Sequence, residues 1–486
     1  MNTLPPLFDH IGGSRSAPSV PLGLYVTDSS SGEDLQPAMA TSTEGVQAAL
    51  DAAERAYLEG AWSDASPDER ADALDSVADE LESSVELMAE LDAQTTGITL
   101  HWTRLMAQLV PIIFRKSAEL LRHKVLTSEL PGKYGNVSVR SYPLGPAALI
   151  CPWNSPATIS AHKIASALAA GCPVVVKPSE HAPHSVGILV DAVERSAIPS
   201  GTVQLIHGDG AVGAQIVADP RIKAVSFTGG LGGGRAVAHA CARDLKPVQL
   251  ELGGNNPLLV FPEANLDAAA DAVVAGLTTL NGQWCRALGR LLVHESVEAP
   301  LLERIKIRLS KVRLGSALSD DSDMGPLIHQ GHLATVKGLE ARLLDGPNRY
   351  RIAPTPAPEL DGTFHPPTLI CGVPPEDAVE EVFGPVATVH TFENENQAIA
   401  LANQTPFGLA AYIFGNDERA LRLAERIHAG TIKINGLTLL SLAPDAPRYT
   451  EIHYMAATEH NQLCRGQREG MITDAKGLLI AGLQTA

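Results

Sequence analysis

Hydrophobic and polar positions follow two different periods along this chain. From Thr43 to about Leu121, apolar residues recur at spacings of three and four, and charged residues occupy the other face. This period predicts amphipathic helices. The stretch SPDERADALDSVADELESSVELMAELDA opens on Ser66, a residue type that caps helix N-termini. We therefore expect a solvated helical bundle lying on a sheet, preceded by an arm of short strands in the Pro-, Gly- and Ser-rich residues 1–40.

The pattern changes after the helical region. Residues 125–142 alternate around the turn sequence GKYGN, which predicts a β-hairpin. Short apolar strands then begin near residues 147, 172, 202, 223 and 248, separated by segments long enough for crossover helices. This succession predicts βαβ units and a doubly wound parallel sheet, whose ligands bind beyond the carboxyl ends of the strands. A second α/β stretch runs from Asn256 to about Gly430, and the closing GLLIAGL is strand-like.

Composition and charge narrow the class of partner. The 486 residues favour two or three domains. A formal net charge of −18 argues against a nucleic acid or an anionic membrane as partner, because both select clustered Lys and Arg. The six cysteines form no CxxC pair, and no 18-residue apolar stretch is present. We expect a soluble, cytoplasmic protein with reduced thiols that acts on a small molecule.

Two glycine-rich segments are candidate phosphate sites. Gly208 to Gly213 form a literal GxGxxG between a strand and a helix, but the acidic residue expected about twenty positions later is absent. These glycines either bind a pyrophosphate or make a tight turn with close helix packing. The next strand ends near Phe227, the first residue of the segment FTGGLGGG. Five of the residues 229–234 are glycines, so the backbone amides at the start of the following helix are not covered by side chains, which suits a phosphate.

Five further segments carry a resemblance when they are taken together. They are CPWNSP at 151–156, KPSE at 177–180, ELGGNNP at 251–257, GQWCRALGR at 282–290 and EEVFGPV at 380–386. In order and spacing, from about residue 45 to residue 435, the chain resembles the aldehyde dehydrogenase family. The implied fold is α/β, with a Rossmann-like doubly wound cofactor domain, an α/β catalytic domain and a small β oligomerisation element. The expected cofactor domain comprises residues 1–124 and 143–253. The expected catalytic domain comprises residues 254–472, and the oligomerisation element comprises residues 125–142 and 473–486.

The resemblance implies three catalytic residues. Cys285 matches the family nucleophile, and a thiol serves as one where its thiolate is accessible. Glu251 closes a strand that ends at two glycines, so it can be delivered into a cleft to activate water. Asn154 matches the residue whose amide forms the oxyanion hole with the backbone N–H of Cys285. Asn154 is also placed to cap the following helix.

The resemblance also implies a dinucleotide site. Lys177 and Glu180 match the pair that binds the adenosine ribose, and a carboxylate there repels a 2′-phosphate, so we expect NAD in preference to NADP, with NADP possible. Glu381 and Phe383 match residues at the nicotinamide ribose and ring. The full expected cofactor set comprises Trp153, Lys177, Ser179, Glu180, Gly208, Gly213, Phe227, Gly229, Gly230, Gly234, Leu252, Glu381 and Phe383. Gly230 replaces a serine common in relatives, so any pyrophosphate contact there comes from backbone or from Trp153.

The implied reaction oxidises an aldehyde to a carboxylic acid through a thiohemiacetal and a thioester on Cys285, with water activated by Glu251. Two alternatives stay open: an acylating enzyme that passes the acyl group to a thiol, which Glu251 argues against, and an inactive binding paralogue. A homodimer or homotetramer is the family expectation. No metal is expected, because His453, His460 and Cys464 do not have zinc-ligand spacing.

Two departures from the family pattern concern the substrate. The segment RYTEIHYMAATEHNQLCRGQREG replaces a Phe-Gly-Gly and Lys-x-Ser-Gly run that shapes the substrate mouth in relatives. Ser155, Ile159 and His162 stand where relatives with small substrates carry bulky apolar side chains, which predicts a bulky or polar aldehyde. Alternatively the tail, with Tyr449, Tyr454 and Met455, refills the tunnel.

Overall fold

The N-terminal region combines short strands with a helical layer. The computed structural model describes residues 4–437 except 124, 125, 132 and 134, and beyond them the backbone of three strands. The first strands are β1 (Asp9–Ile11), β2 (Ser14–Ser16), β3 (Val20–Thr27) and β4 (Asp34–Ala40). The helices are α1 (Thr43–Leu58), α2 (Pro67–Glu82), α3 (Val85–Thr96) and α4 (Leu100–Arg122). Ser66 caps α2 in a reciprocal box with Glu69, so the predicted helical region is confirmed.

A hairpin separates this layer from the first α/β unit, as predicted. Its strands are β5 (Thr127–Leu130) and β6 (Val137–Arg140), followed by β7 (Tyr142–Pro143). The strands of the α/β unit are β8 (Ala147–Ile150), β9 (Val174–Lys177), β10 (Val203–Leu205), β11 (Ala224–Thr228) and β12 (Val248–Glu251). Its helices are α5 (Pro156–Ala169), α6 (His184–Arg195), α7 (Gly210–Ala218) and α8 (Leu231–Arg243).

The first sheet is doubly wound. Its order is β12-β11-β8-β9-β10-β1-β2, with parallel pairing from β12 to β10 and an antiparallel N-terminal edge. Strands β9 and β10 are added on one side of β8, and β11 and β12 are added on its other side. The carboxyl ends of β8 and β11 therefore form a crevice at this switch point. Apolar clusters cover both faces: one joins α2 to α6, and the other includes α1, α7 and α8. This arrangement confirms the predicted α/β class.

A second mixed sheet follows. Its strands are β13 (Asn256–Val260), β14 (Leu288–His294), β15 (Tyr350–Ile352), β16 (Thr368–Cys371), β17 (Val386–Phe392), β18 (Ala410–Phe414) and β19 (Thr431–Ile434). Its helices are α9 (Leu266–Thr278), α10 (Glu298–Leu309), α11 (Gln330–Leu344), α12 (Glu395–Ala402) and α13 (Asp417–Ala424). The sheet order is β15-β16-β17-β14-β13-β18-β19, and all pairs except β15-β16 are parallel.

The C-terminal strands extend this second sheet. They are β20 (Ala456–Ala457), β21 (Arg468–Thr473) and β22 (Leu479–Thr485). Strand β21 pairs in parallel with β19 and antiparallel with β22, while β20 pairs with β7. Thus β22 lies at the edge of the second sheet within one chain, and its predicted role in an oligomerisation element stays a prediction. Through the described ranges, no helix is both long and apolar enough to cross a bilayer.

Candidate active site

Cys285 lies in a turn between the 3-10 turn Thr279–Gly282 and β14. Two residues of that 3-10 turn, Leu280 and Asn281, have positive φ angles of 48° and 57°, a conformation that L residues rarely adopt. Asn281 is fully buried and holds the conformation: its Nδ2 donates to the carbonyls of Gly97 (2.7 Å) and Pro326 (2.8 Å). The loop that carries the thiol is therefore held by the surrounding structure.

Cys285 is partly exposed, whereas the other four cysteines in the described part of the chain are buried. Its carbonyl oxygen accepts a hydrogen bond from Asn256 Nδ2 (2.9 Å), and the same amide donates to the Ala287 carbonyl (2.7 Å). The second asparagine of ELGGNNP thus fixes the backbone of the cysteine turn. The sequence motif predicted a role for Glu251 but none for Asn256, although the two asparagines after the two glycines are a signal that could have found it.

Asn154 reaches the cysteine loop from the first sheet. It lies in the turn between β8 and α5, and its Nδ2 donates to the Gln283 carbonyl at 2.9 Å. Gln283 is itself held, because its Oε1 accepts from the backbone N–H of Ile328 (3.0 Å). A side-chain amide has two N–H groups. One N–H of Asn154 donates to the carbonyl of Gln283, the residue two positions before Cys285. The other N–H can donate a hydrogen bond to an oxyanion that develops on the substrate.

Glu251 ends β12 and is partly buried. The two glycines after it allow close approach of the cysteine loop: a Cβ on Gly254 would lie 2.6 Å from the Cys285 carbonyl oxygen, and a Cβ on Gly253 would collide with the Glu381 carboxylate. Any larger residue at either position would separate these elements. The double glycine therefore lets the segment that follows Glu251 lie against both the cysteine loop and Glu381.

Glu381 stands in the turn between β16 and β17. Its Oε1 accepts from the Gly254 N–H at 2.8 Å. Burial raises the pKa of Glu381 to about 7, and the hydrogen bond from Gly254 opposes this shift only in part. The protonation state of this carboxyl consequently changes near neutral pH.

Lys177 is the last residue of β9, and Ser179 and Glu180 follow it in the next turn. Lys177 is buried, and its Nζ donates to the carbonyls of Pro178 (2.9 Å) and Gly208 (2.5 Å) and lies 3.8 Å from a Glu180 oxygen. Burial lowers the pKa of Lys177, while Glu180 opposes that shift. Ser179 is buried and accepts from the His181 N–H (3.4 Å), whereas Glu180 is partly exposed.

The two glycine segments differ at their helix starts. Asp209 caps α7, accepting from the amides of Ala211 (2.9 Å) and Val212 (3.4 Å). A Cβ on Gly213 would lie 3.6 Å from Lys177 Cε, and Gly208 has a φ of +146°. Amides of the first turn are therefore already occupied, which favours the tight-turn interpretation of the GxGxxG.

By contrast, α8 begins at Gly230 with no side-chain cap. A Cβ on Gly230 would meet no atom within 4 Å, a Cβ on Gly229 would strike the Phe227 ring, and a Cβ on Gly234 would strike Leu252. The first-turn amides of α8 can thus donate hydrogen bonds to an anion, and Phe227 and Leu252 lie beside this helix start. This start is the better phosphate site of the two.

A row of rings connects the two sheets. The Trp153 ring lies 5.4 Å from Phe383 and 5.3 Å from His332, and His332 Nε2 is 2.7 Å from the Phe383 carbonyl. The His181 and His329 rings stack at 4.2 Å. Burial lowers the pKa of His329 to about 4 and also lowers the pKa of His181, so both rings of this stack are neutral at pH 7. No sequence motif predicts these histidines, because only folding brings residue 181 beside residue 329.

The remaining predicted positions divide into two groups. Ser155 is buried, and Ile159 and His162 are partly buried on α5. The tail residues of interest lie outside the described residues; they are Tyr449, His453, Tyr454, Met455, His460 and Cys464. Within the described ranges, no group of three His, Cys, Asp or Glu side chains has metal-binding geometry.

Cys285 is partly exposed, and a side-chain amide from the first sheet is bonded to its loop. This arrangement, between a doubly wound sheet and a second α/β sheet, fits the class of enzymes built on a nucleotide-binding fold. The model of the aldehyde dehydrogenase family matches residues 23–445. Betaine aldehyde dehydrogenase of Bacillus subtilis (strain 168) is 34% identical over 82% of this chain and 84% of its own length. The succinate-semialdehyde dehydrogenase of Escherichia coli K12, named with NADP(+), is 33% identical over 86% of this chain and 88% of its own length.

Solved structures agree with the sequence relatives. Betaine aldehyde dehydrogenase from Staphylococcus aureus in complex with NAD+ superposes with a TM-score of 0.86 at 28% identity, covering 93% of each chain. This chain belongs to the aldehyde dehydrogenase family. The predicted family, fold class and enzyme class are confirmed.

Proposed function

We propose that this protein oxidises an aldehyde to a carboxylic acid with NAD, through a thiohemiacetal and a thioester on Cys285. The observation that carries the proposal is the hydrogen bond between Asn154 and Gln283, because it brings an amide donor of the first sheet to the loop of the accessible thiol. Nucleophile and oxyanion donor thus meet at the crevice where a doubly wound sheet binds its ligand.

The residues present fit a dinucleotide. The uncapped N-terminus of α8, with open space at Gly230, suits the pyrophosphate, and Lys177 with Glu180 at the next strand end suits the adenosine ribose. Trp153, Glu381 and Phe383 lie toward the cysteine and would hold the nicotinamide end. When bound, the cofactor supplies a hydride acceptor. Gly208, Gly213 and Ser179 support Lys177 and its loop.

The chain's own residues account for the other steps. The Cys285 thiolate adds to the aldehyde carbon, and the second N–H of Asn154 with the Cys285 backbone N–H stabilises the alkoxide; such a donor contributes roughly 3 kcal/mol to the barrier reduction. Loss of hydride from the tetrahedral carbon leaves a thioester on Cys285. Glu251 then takes a proton from water, which attacks the thioester and releases the acid and the thiolate.

Assaying NAD reduction with a panel of aldehydes, with product analysis, tests the proposal. We expect the free carboxylic acid without added thiol. Formation of an acyl-thiol only in the presence of coenzyme A would favour the acylating alternative, and failure to reduce NAD with every aldehyde would favour an inactive paralogue.

Cofactor choice is predicted to depend on Glu180. We expect NAD to be preferred over NADP, and Glu180→Gln to narrow the ratio of the two kcat/KM values by about tenfold, because removing the carboxylate relieves repulsion of the 2′-phosphate. Steady-state kinetics with both cofactors measure the ratio. A wild-type enzyme that favours NADP tenfold or more would contradict this role of Glu180.

The affinity for NAD is predicted to fall in acid. With its pKa raised to about 7, Glu381 is ionised only above neutral pH, and a carboxylate accepts ribose hydroxyl hydrogen bonds more strongly than the protonated acid. We expect the Kd for NAD to rise several-fold between pH 8 and pH 6, measured by tryptophan fluorescence titration. In Glu381→Gln this rise should disappear; a rise that persists there would assign the titration to another group.

We also propose a homodimer or homotetramer in the cytoplasm. Its cofactor domain comprises residues 1–124 and 143–253, its catalytic domain residues 254–472, and its oligomerisation element residues 125–142 and 473–486. The β5–β6 hairpin supports association, because Leu130 and Val137 pair across it and are 47% and 56% exposed. The five described cysteines form no disulfide, which is typical of a reducing compartment. Sedimentation of the purified protein would give the oligomeric state.

A further inference from the structure

Two consecutive buried asparagines, Asn255 and Asn256, lie where β13 begins. Asn256 uses both of its side-chain polar atoms. Its Nδ2 donates to the carbonyls of Cys285 (2.9 Å) and Ala287 (2.7 Å), and its Oδ1 accepts from the Ala410 N–H (3.1 Å). A side-chain amide has two N–H groups, and both are used here. The orientation of the Asn256 side chain is therefore fixed.

The bond from Asn256 to the Cys285 carbonyl restricts the Cys285 N–H. That N–H belongs to the peptide unit between Trp284 and Cys285. The peptide unit before it is held at the Gln283 carbonyl by Asn154, and the peptide unit after it is held at the Cys285 carbonyl by Asn256. Peptide units are planar, so holding both neighbours limits rotation of the unit between them. The direction of the Cys285 N–H thus depends on both asparagine side chains.

Asn255 holds the turn of Glu381 in a similar way. Its Nδ2 donates to the carbonyls of Ala378 (2.8 Å) and Glu380 (3.3 Å). The Glu380 carbonyl belongs to the same peptide unit as the Glu381 N–H. The Glu381 carboxylate accepts from the Gly254 N–H (2.8 Å). Residues 254 and 255 therefore hold both the backbone and the carboxylate of Glu381.

Arg290 on β14 anchors this segment. Its guanidinium is buried, and its Nε and Nη2 donate to the Asn255 carbonyl (3.1 and 3.0 Å). The same side chain donates to the carbonyls of Leu401 (2.5 Å) and Ala402 (2.9 Å) at the end of α12. The backbone of Asn255 is thus fixed to β14 and α12, and the two asparagine side chains act from a held position.

We propose that Asn256 and Asn255 are positioning residues for two different parts of the reaction. Asn256 orients the Cys285 N–H toward the oxyanion, and Asn255 orients the Glu381 carboxylate toward the nicotinamide end of the cofactor. Each acts through the turn that it holds. This inference rests on the proposed aldehyde oxidation. Because the two turns serve different steps, substitutions of the two asparagines should have different kinetic effects.

Asn256→Ala tests the first role. We expect kcat to fall by about ten- to a hundredfold, because a misdirected donor stabilises the oxyanion less. Alkylation of Cys285 by iodoacetamide forms no oxyanion, so its rate should stay within about threefold of wild type, as should the Kd for NAD. Asn256→Ser keeps a hydroxyl donor and should recover part of kcat. Steady-state assays, mass spectrometry of the alkylated protein and fluorescence titration measure these quantities.

Asn255→Ala tests the second role. We expect the Kd for NAD to rise by about tenfold, with unchanged alkylation of Cys285 and a smaller fall in kcat at saturating NAD than in Asn256→Ala. Asn403→Ala is the matched control for both variants. It removes another asparagine that joins two segments, through its bonds to the Arg426 carbonyl (2.9 Å) and the His428 N–H (2.8 Å). The control should keep kcat and the Kd for NAD even where its Tm falls.

Equal changes of kcat and Kd in the two variants, or the same losses in Asn403→Ala, would show a general structural effect and overturn the proposal. Alkylation that falls as far as kcat in Asn256→Ala would mean that Asn256 acts on the sulfur and not on the oxyanion donor. If Asn256→Ala does not fold, Asn256→Ser decides. A wild type that oxidises no aldehyde removes the proposed function, whereas an active wild type with unchanged kcat in Asn256→Ala and unchanged Kd in Asn255→Ala removes the positioning roles alone.

Discussion

Cys285→Ala is expected to lower kcat for aldehyde oxidation by at least about a thousandfold, because no other group can form the thiohemiacetal. The other four cysteines of the described chain are buried, so we expect none of them to replace it. Binding of NAD should stay within a few-fold of wild type, since alanine removes only a sulfur from a partly exposed position. Steady-state assays and a fluorescence titration of NAD measure the two quantities.

Cys151→Ala is the matched control. Cys151 begins the segment that carries Trp153 and Asn154, but it is 4% exposed, and we expect the variant to keep most of its activity. If Cys285→Ala retained more than a tenth of the wild-type rate, Cys285 would be removed from the mechanism and Cys151 would become the next candidate.

Glu251→Gln should separate the two halves of the reaction. Without a general base, attack of water on the thioester slows by roughly a hundred- to ten-thousandfold. Formation of the thioester does not need that base, so we expect a rapid burst of one NADH per active site, followed by a slow steady state. Stopped-flow absorbance measures the burst, and intact-protein mass spectrometry should detect the acyl adduct on Cys285.

The control for this variant is Glu263→Gln, which alters a surface carboxylate paired with Arg419 (2.8 Å). It should show neither a burst nor a slower turnover. If Glu251→Gln lost both the burst and the steady-state turnover, Glu251 would act before the thioester forms. If its turnover were unchanged, the water-activating role would belong to another group.

The sequence alone determined the strand succession and the local chemistry of the motifs. Apolar positions that recur every two residues or every three to four residues depend only on residues close together in the sequence. The hairpin, the helices and the βαβ units could therefore be predicted from these patterns. The motif order was sufficient for the family and for Cys285, Glu251 and Asn154 as candidates. It was not sufficient to choose between the two glycine segments, because both precede a helix.

Only the tertiary structure decided how these pieces are used, because their partners lie far away in sequence. Asp209 occupies the amides of α7 while α8 stays uncapped, a difference in side-chain hydrogen bonds. The bond between Asn154 and Gln283 spans 129 positions of the sequence, and no local period records it. Ser155 does not cap its own helix α5, and Asp92 of α3 instead accepts from the first-turn amide of Ala157, a contact that depends on the packing of α3 against α5. Such contacts are formed when separate elements pack together, so they belong to the fold and not to any segment of the chain.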